Sequence, residues 1–450
     1  MGNKVIKNHE IVSEFLKFPP FNDDLAYCQE YDSFYLWENN HYRFLKINSV
    51  HDIIHNFMIN RYPEIQTTEY LVRDLIYQIK RMLPDNRKFD NYATEYLAFN
   101  DCYFNTNTFD PSPTVKDKLV VYNLPYPYQE IQNFDTPIFY KYLQTTIIKE
   151  GTREADNDLI SLVQEMFGFY LMDNLKATGA FFMIGEGSNG KSVMINILYN
   201  MIGRDFCSSM SIQTLTTNNF AVADLIGKKI NISNEEESKY MKGDVFKALI
   251  TGDPVSADRK FQSRINFKPR TKYLFASNEM PTFETLNYGL KRRIKIIPFY
   301  RRFSDKEADK NLSDKLVKEL PGIVAWAIAG AKRLVENNYV FSEPKATQKE
   351  LEEFESEISS SLRFVKDNYV VDDSGFIENV ELYDHYRNWC DGNGKKSVNS
   401  IRFHKELLRM SDIKSIRGYD KYNQRKHGKN LSLKMEEQKN EKDQTFLSEL

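Results

Sequence analysis

The chain has 450 residues, 41% hydrophobic and 28% charged, an ordinary globular mixture with enough length for two or three cored domains. Its formal net charge of −2 excludes a global basic field, so any nucleic-acid surface would have to be local. The four cysteines (Cys28, Cys102, Cys207, Cys390) show no C-x-x-C spacing and none of the seven histidines falls between His55 and His385, which speaks against a zinc site and for free thiols in a reducing compartment.

The opening MGNKVIKN lacks a signal-peptide core and carries Ile6 where a myristoylation motif needs Ser or Thr. No later apolar run approaches the roughly 18 residues of a membrane span, so a cytoplasmic protein without a membrane partner is expected. Residues up to Ile148 are rich in Tyr, Phe and Asn. Within them VRDLIYQIKRML, from Val72, has helical spacing, and KLVVYNLPYPY, from Lys118, reads as a strand entering a Pro-punctuated turn. DNDLISLVQEMFGFYLMDNL, from Asp156, places Leu159, Leu162, Val163, Met166, Phe167 and Tyr170 on one face of a helix capped by Asp. From Gly179 the texture becomes short apolar strands separated by polar loops and helices, the pattern of a multidomain α/β chain. That pattern runs to PGIVAWAIAGAKRL, from Pro321, a helix with Pro in its first turn. FSEPKATQKELEEFESE, from Phe341, reads as a connector helix; a small domain follows to Lys434, and the tail MEEQKNEKDQTFLSEL is polar.

FFMIGEGSNGKSVMINIL, from Phe181, contains G-x-x-x-x-G-K-[ST] in Gly185, Glu186, Gly187, Ser188, Asn189, Gly190, Lys191 and Ser192. Its glycines let the backbone curl so that N–H groups converge on phosphate oxygens. Lys191 would reach the β and γ phosphates, and the Ser192 hydroxyl would help hold Mg²⁺. The flanks supply the context this motif requires. AFFMI is a buried-strand run, and SVMINILYNMI continues with Ile195, Leu198, Tyr199 and Ile202 at helical spacing. ATP and Mg²⁺ are the expected ligands.

GKKINISNEEE, from Gly227, is a short strand ending in acids. A phosphate-loop ATPase needs one carboxylate to hold Mg²⁺ and another to polarise the attacking water; Glu235 and Glu236 suit these roles, with Glu237 in reserve. TKYLFASNEMP, from Thr271, ends a third strand at Asn278, a polar residue able to orient the lytic water. LNYGLKRRIKIIPF, from Leu286, leads a basic cluster into an apolar strand. Arg292 and Arg293, the second preferred, are candidates for an arginine finger aimed at a neighbour's γ-phosphate, a device worth roughly 10³–10⁵ in rate.

These signals, in order from Gly185 to Arg293, resemble the layout of the superfamily 3 helicases, a viral and plasmid branch of the AAA+ ATPases. More closely, they resemble the phage and plasmid helicases related to the poxvirus helicase–primase. EYLAFNDCYFNTNTFDPSPTV and NLPYPYQEIQNFDTPIFYKYL are similar to that branch's N-terminal helicase-associated domain, and GDPVSADRKFQSRINFKPRTKYLFASNEMP to its core. ELPGIVAWAIAGAKRL resembles the helix that closes the motor, and LYDHYRNWCDGNGKKSVNSIRFHKELL its winged-helix domain. The replication initiator helicases of staphylococcal pathogenicity islands and phage satellites share this layout. The resemblance implies an N-terminal α+β, collar-like helicase-associated domain at 1–150 and a central AAA+ ATPase motor at 151–340. It implies a connector with a winged-helix DNA-binding domain at 341–434, and a polar tail at 435–450. In the family one Glu often follows the acidic strand directly, whereas Ser-Asn intervenes here, so the division of roles between Glu235 and Glu236 stays open. Without a Cys/His cluster, primase activity is not expected.

The family also implies a β-hairpin before the Asn strand, projecting into the pore of a ring. ADRKFQSRINF supplies Arg259, Lys260, Phe261 and Arg264 around that turn. A cation follows the phosphates of a single strand while a ring stacks on any base. From Lys395 to Lys434, twelve Lys/Arg stand against three Asp/Glu. SVNSIRFHKELLRM fits a recognition helix presenting Arg402, Lys405 and Arg409, and the basic stretch from Ile416 fits a wing, both suited to phosphate contacts on duplex DNA. The expectation is an ATP-dependent replicative DNA helicase and replication initiator of a mobile element. It would bind origin DNA through its C-terminal domain, translocate on single-stranded DNA as a homo-hexamer, and meet host replication proteins. Two alternatives stand beside it: an ATP-switched origin-binding protein without processive unwinding, and an AAA+ remodeller of proteins.

Overall fold

The computed structural model describes residues 6–234, 243–259, 264–281, 283, 288–395, 397–408, 412–419 and 424–434. They fall into two units, Met1–Pro281 with Asn287–Thr347, and Thr282–Leu286 with Gln348–Leu450.

The first unit begins with α1 (Asn8–Phe15), β1 (Leu25–Cys28), β2 (Ser33–Glu38), β3 (His41–Leu45), α2 (Ile47–Arg61), α3 (Glu69–Met82) and β4 (Lys88–Phe89); the strands pair in the order β3-β2-β1-β4. α3 buries Val72, Leu75, Ile76 and Ile79, the stripe its spacing predicts, against α1 and the sheet, and Thr68 Oγ1 caps it by accepting Leu71 N. A small sheet of β5 (Tyr96–Ala98), β6 (Tyr103–Asn105) and β7 (Asp110–Ser112) follows. The stretch from Lys118 is not the strand expected from its apolar run. Leu119, Val120, Tyr122 and Leu124 are buried, but the carbonyls serve separate partners: Leu119 O accepts Ala93 N, Val120 O accepts Tyr42 N, and Tyr122 O accepts Ala98 N. An extended segment shared among three neighbours builds no ladder.

α4 (Pro137–Thr146) and α5 (Asn157–Leu171) lead to the central sheet. Thr136 gives α4 no side-chain cap; the Glu319 carboxylate, distant in sequence, accepts Ile138 N at 3.0 Å and Phe139 N at 2.8 Å instead. α5 opens on Asp156, which accepts Leu159 N at 3.0 Å, and its predicted face is buried throughout.

The unit continues with β8 (Ala180–Ile184), α6 (Lys191–Ile202), β9 (Cys207–Ser208), β10 (Ile230–Asn234), α7 (Gly243–Thr251), β11 (Val255–Ala257), β12 (Ile265–Phe267), β13 (Lys272–Ser277), β14 (Ile294–Pro298) and α8 (Leu320–Glu336). Five of these strands form a parallel sheet of order β14-β8-β13-β10-β9, and β11 pairs antiparallel with β12. Both faces of the sheet are covered, which is why its strands read as unbroken apolar runs. Phe181, Met183, Leu274, Ala276 and Ile297 pack with α5, α6 and α8 in one core. On the other face Phe182, Tyr273 and Phe275 meet Phe246 of α7. α8 lies so close to α5 that a Cβ on Gly330 would stand 2.1 Å from Gln164 O. Buried Glu165 ties the two, accepting Arg333 Nε at 2.9 Å and Ser342 Oγ at 2.6 Å. At the amino-terminal edge of the sheet Lys229 pairs with Asp173 at 2.6 Å, and buried Lys272 donates to Met172 O.

The second unit contains α9 (Ser360–Asn368), β15 (Tyr369–Val371), β16 (Ile377–Glu378), α10 (Asn379–Gly392), α11 (Ser400–Leu407), β17 (Ser415–Tyr419), β18 (Arg425–Lys429) and β19 (Leu431–Leu433). Its helices close on Leu362, Phe364, Leu382, Tyr386, Phe403 and Leu407, with Phe403 stacked on Tyr386 at 4.4 Å. β17 and β18 form a hairpin widened by β16, while β15 pairs with β19. Among the described residues no helix is long and apolar enough to cross a membrane.

Candidate functional site

Residues 185–190 join β8 to α6, and the loop is held on both flanks. Gly185 N donates to Ser277 O of β13 at 3.3 Å; on the other side Phe299 N donates to Ile184 O at 2.7 Å and Phe303 N to Ser188 O at 2.8 Å. Gly190 turns the chain into α6 with φ +92°, and a Cβ there would lie 2.9 Å from Thr146 Cγ2, so both conformation and space call for glycine. Tyr142 Oη donates to Gly190 O at 2.9 Å, fixing the turn from α4. Lys191 is half-buried, its Nζ donates to Gly185 O, and burial lowers its pKa. Asn189 is buried: its Oδ1 accepts Lys191 N at 3.3 Å, and its Nδ2 has no hydrogen-bond partner among the described residues. Glu186, Gly187, Ser188 and Ser192 are exposed, with Glu186 3.7 Å from Arg302. A curled backbone, a lysine and the positive end of a helix make a cradle suited to a tetrahedral anion.

The register sets what stands beside this loop. Ser277 pairs with Ile184, so exposed Asn278 and Gly185 leave the same edge of the sheet side by side. Asn234 pairs with Ala276, so β10 runs through the Ser-Asn step that precedes Glu235 in the sequence. Glu235, Glu236 and Glu237 lie outside the described residues. After β8 the chain crosses to β9 at one end of the sheet; after β13 it crosses to β14 at the other. The two loops diverge and leave a crevice, the switch point at which parallel α/β sheets bind ligands.

Arg292 and Arg293 are not part of that crevice. They precede β14, and Arg293 O accepts Ala180 N, the first residue of β8, at 2.8 Å. The length of a strand, about 15 Å, therefore separates them from the loop of their own chain. Arg292 is exposed, whereas Arg293 is 8% exposed with Nη1 donating to Gly289 O. Burial, and then the neighbouring Arg292 charge, lower the Arg293 pKa.

A cavity of about 320 Å³ is lined by Ile148, Gly151, Thr152, Arg153, Tyr300, Arg301 and Arg302. Arg301 pairs with Glu307 at 2.5 Å, lies 5.1 Å over the Phe303 ring, and has a buried Nε without a hydrogen-bond partner among the described residues. Sequence reasoning missed these arginines. The only signal was the basic pair Arg301–Arg302, separated by two residues from the end of β14.

The basic residues singled out for nucleic acid are scattered. Arg259 is half-buried, with Nη2 donating to Tyr31 O at 2.8 Å, and Arg264 closes on Asp258 at 2.7 and 3.3 Å. Lys260, Phe261 and Arg409 lie outside the described residues. In the second unit Lys405 is exposed, and exposed Arg402 pairs with buried Glu406 of its own helix at 2.7 Å. On the β17–β18 hairpin Arg417, Tyr419, Arg425 and His427 are exposed as well. No cluster of metal ligands occurs among the described residues.

Residues 183–293 match a family described as "Family of unknown function (DUF5906)". The chain is 26% identical over 238 residues to the "Putative helicase L207/L206" of Acanthamoeba polyphaga mimivirus, a match covering 47% of this chain. It spans only 24% of that relative's length. Among solved structures it is similar to the A form of the apo NrS-1 C-terminal region, with a TM-score of 0.52 and 14% identity over 95% of this chain and all of that one. A second apo structure of the same region, also 14% identical, scores 0.46 over 95% and 100% of the two chains. The chain is thus a distant sequence relative of a viral protein named as a helicase, and it shares the mixed α/β fold of the NrS-1 C-terminal region.

Proposed function

We propose that this chain is an ATP-dependent DNA helicase of the superfamily 3, AAA+ type, and a replication initiator of a mobile element. One observation carries the reading: G-x-x-x-x-G-K-S spans the turn from a buried parallel strand into a helix, at the switch point of the sheet and beside Asn278. The buried Nδ2 of Asn189 and the left-handed Gly190 are what a backbone shaped around phosphate requires. Lys191 would neutralise the β and γ phosphates and Ser192 would help hold Mg²⁺; of Glu235 and Glu236 one would hold the ion and the other accept a proton from the lytic water, with Asn278 placed to orient that water. Bound Mg²⁺ supplies charge neutralisation at the phosphates. Arg292 or Arg293 serves the nucleotide of an adjacent copy in a homo-hexamer, with exposed Arg292 the readier of the two. The hairpin around Lys260 and Phe261 grips single-stranded DNA. The region 341–434 acts as a winged helix on origin duplex, with 1–150 as collar, 151–340 as motor and host replication proteins as further partners.

The test is forked-duplex unwinding and ATP hydrolysis by wild type and Lys191→Ala. The variant should lose both by at least about a hundredfold. Hydrolysis untouched by the substitution overturns the site. A wild type that binds origin DNA in response to ATP without separating strands supports the switch alternative, and hydrolysis indifferent to DNA supports the remodeller.

A further inference from the structure

Tyr31 lies in the turn between β1 and β2 and is 2% exposed. That turn is fixed to its own sheet. Gln29 N donates to Phe89 O at 2.8 Å, Glu30 N to Asp90 O at 3.1 Å, and Ser33 Oγ to Tyr31 O at 2.8 Å. The Tyr31 ring stacks on Tyr92 with centroids 4.4 Å apart. From this position Tyr31 meets both arms of the β11–β12 hairpin. Just beyond β11, Arg259 Nη2 donates to its carbonyl at 2.8 Å. Just beyond β12, its hydroxyl donates to Lys268 O at 3.2 Å and accepts Arg270 Nε at 3.1 Å, while Phe267 meets the ring edge-on at 6.1 Å. Arg270 also faces Glu30 at 4.0 Å and the Tyr92 ring at 5.9 Å.

Two guanidiniums, one from each arm, therefore converge on a single residue of another sheet. Hydrogen bonds from ionised donors are the strong kind, and guanidinium adds directional fixity. A two-stranded hairpin with short arms is marginal by itself, so its direction depends on what it is tied to. The hairpin's own cross-tie, Arg264 to Asp258, closes it at the turn end, where Asp258 N also donates to Asn219 O at 3.2 Å.

We propose that Tyr31 is a positioning residue: through it the N-terminal sheet holds the β11–β12 hairpin at a fixed attitude to the central sheet, so that motion driven by ATP reaches a bound single strand. The proposal rests on the DNA role given above to that hairpin, and it gives the N-terminal sheet the work of a strut.

The experiment uses the full chain carrying Tyr31→Phe, which keeps the ring stack and loses both hydroxyl bonds. A second variant, Arg270→Lys, keeps the charge beside Glu30 and loses the reach to the hydroxyl. ATP hydrolysis is measured with and without a single-stranded oligonucleotide, and amide hydrogen exchange is followed over residues 255–270. Both variants should keep basal hydrolysis and thermal midpoint near wild type, lose about tenfold of the stimulation by DNA, and exchange faster at 255–259 and 264–270. Wild-type stimulation in both variants overturns the proposal, as does a fall in basal rate equal to the fall in stimulated rate. If wild type hydrolyses ATP yet ignores the oligonucleotide, the DNA reading fails and exchange alone decides: faster exchange upholds the strut, and unchanged exchange removes it.

Discussion

Lys272 is 2% exposed at the start of β13, with its Nζ donating to Met172 O and standing 4.7 Å over the Phe169 ring. Burial first, and the Lys229 charge second, push its pKa well below the ordinary lysine range. The unfolded chain keeps this proton up to about pH 10.4. Between the folded pKa and that value the unfolded state binds more protons, so stability is lost as pH falls through the window and regained as it rises. Lys272→Met removes the penalty at similar volume. It should exceed wild type by about 1–2 kcal/mol near pH 7, with the lead shrinking toward pH 10. Denaturant titrations at both pH values check this, and a lead independent of pH would clear the ammonium of responsibility. Legibility also varied from residue to residue. The strand and helix flanking Gly185–Ser192 could be read because their pattern is contiguous. Arg153, Arg301 and Arg302 could not, since distant segments bring them to one cavity. Arg292 and Arg293 look alike in sequence, and it is the burial of Arg293, with Nη1 donating to Gly289 O, that shows the second turns inward.

Elements were legible where caps and periodicity agreed. Asp156 caps α5 as its spacing predicts, and α8 carries Pro in its first turn. The cap of α4 was invisible because Glu319 stands 180 residues away from Phe139 along the chain. The apolar run from Lys118 read as a strand, but partnership depends on chain elsewhere, and its carbonyls are shared among three neighbours. The approach of α5 and α8 makes a sharper case. In an exposed helix, Gly→Ala would add about 1 kcal/mol of stability from propensity. At Gly330 the new Cβ meets the Gln164 carbonyl, which is backbone and cannot rotate away. Separating the helices to admit it costs about 1–3 kcal/mol, which outweighs the gain in propensity. Gly330→Ala should therefore lower the thermal midpoint, and a rise would show that the pair is looser than its geometry.

At the scale of the whole molecule, net charge conceals the distribution of charge. The twelve basic residues from Lys395 to Lys434 were countable in sequence, but their display was not. In the second unit Arg417 and Arg425 stand exposed on the hairpin, whereas Arg402 shares its charge with Glu406. If the hairpin rides on duplex phosphates, Arg417→Ala and Arg425→Ala should each weaken binding similarly for all sequences. Each should also flatten the slope of log affinity against log salt by about 1. Fluorescence anisotropy across a salt series measures this, and an unchanged slope would move the contact elsewhere. The arrangement of the first unit reaches further. Arg292 and Arg293 stand a strand's length from the nucleotide loop of their own copy, so under the proposed chemistry a solitary molecule is half a catalyst. Turnover per molecule would then climb more steeply than abundance, and a trickle of leaked expression would stay silent until the cell held enough copies to meet.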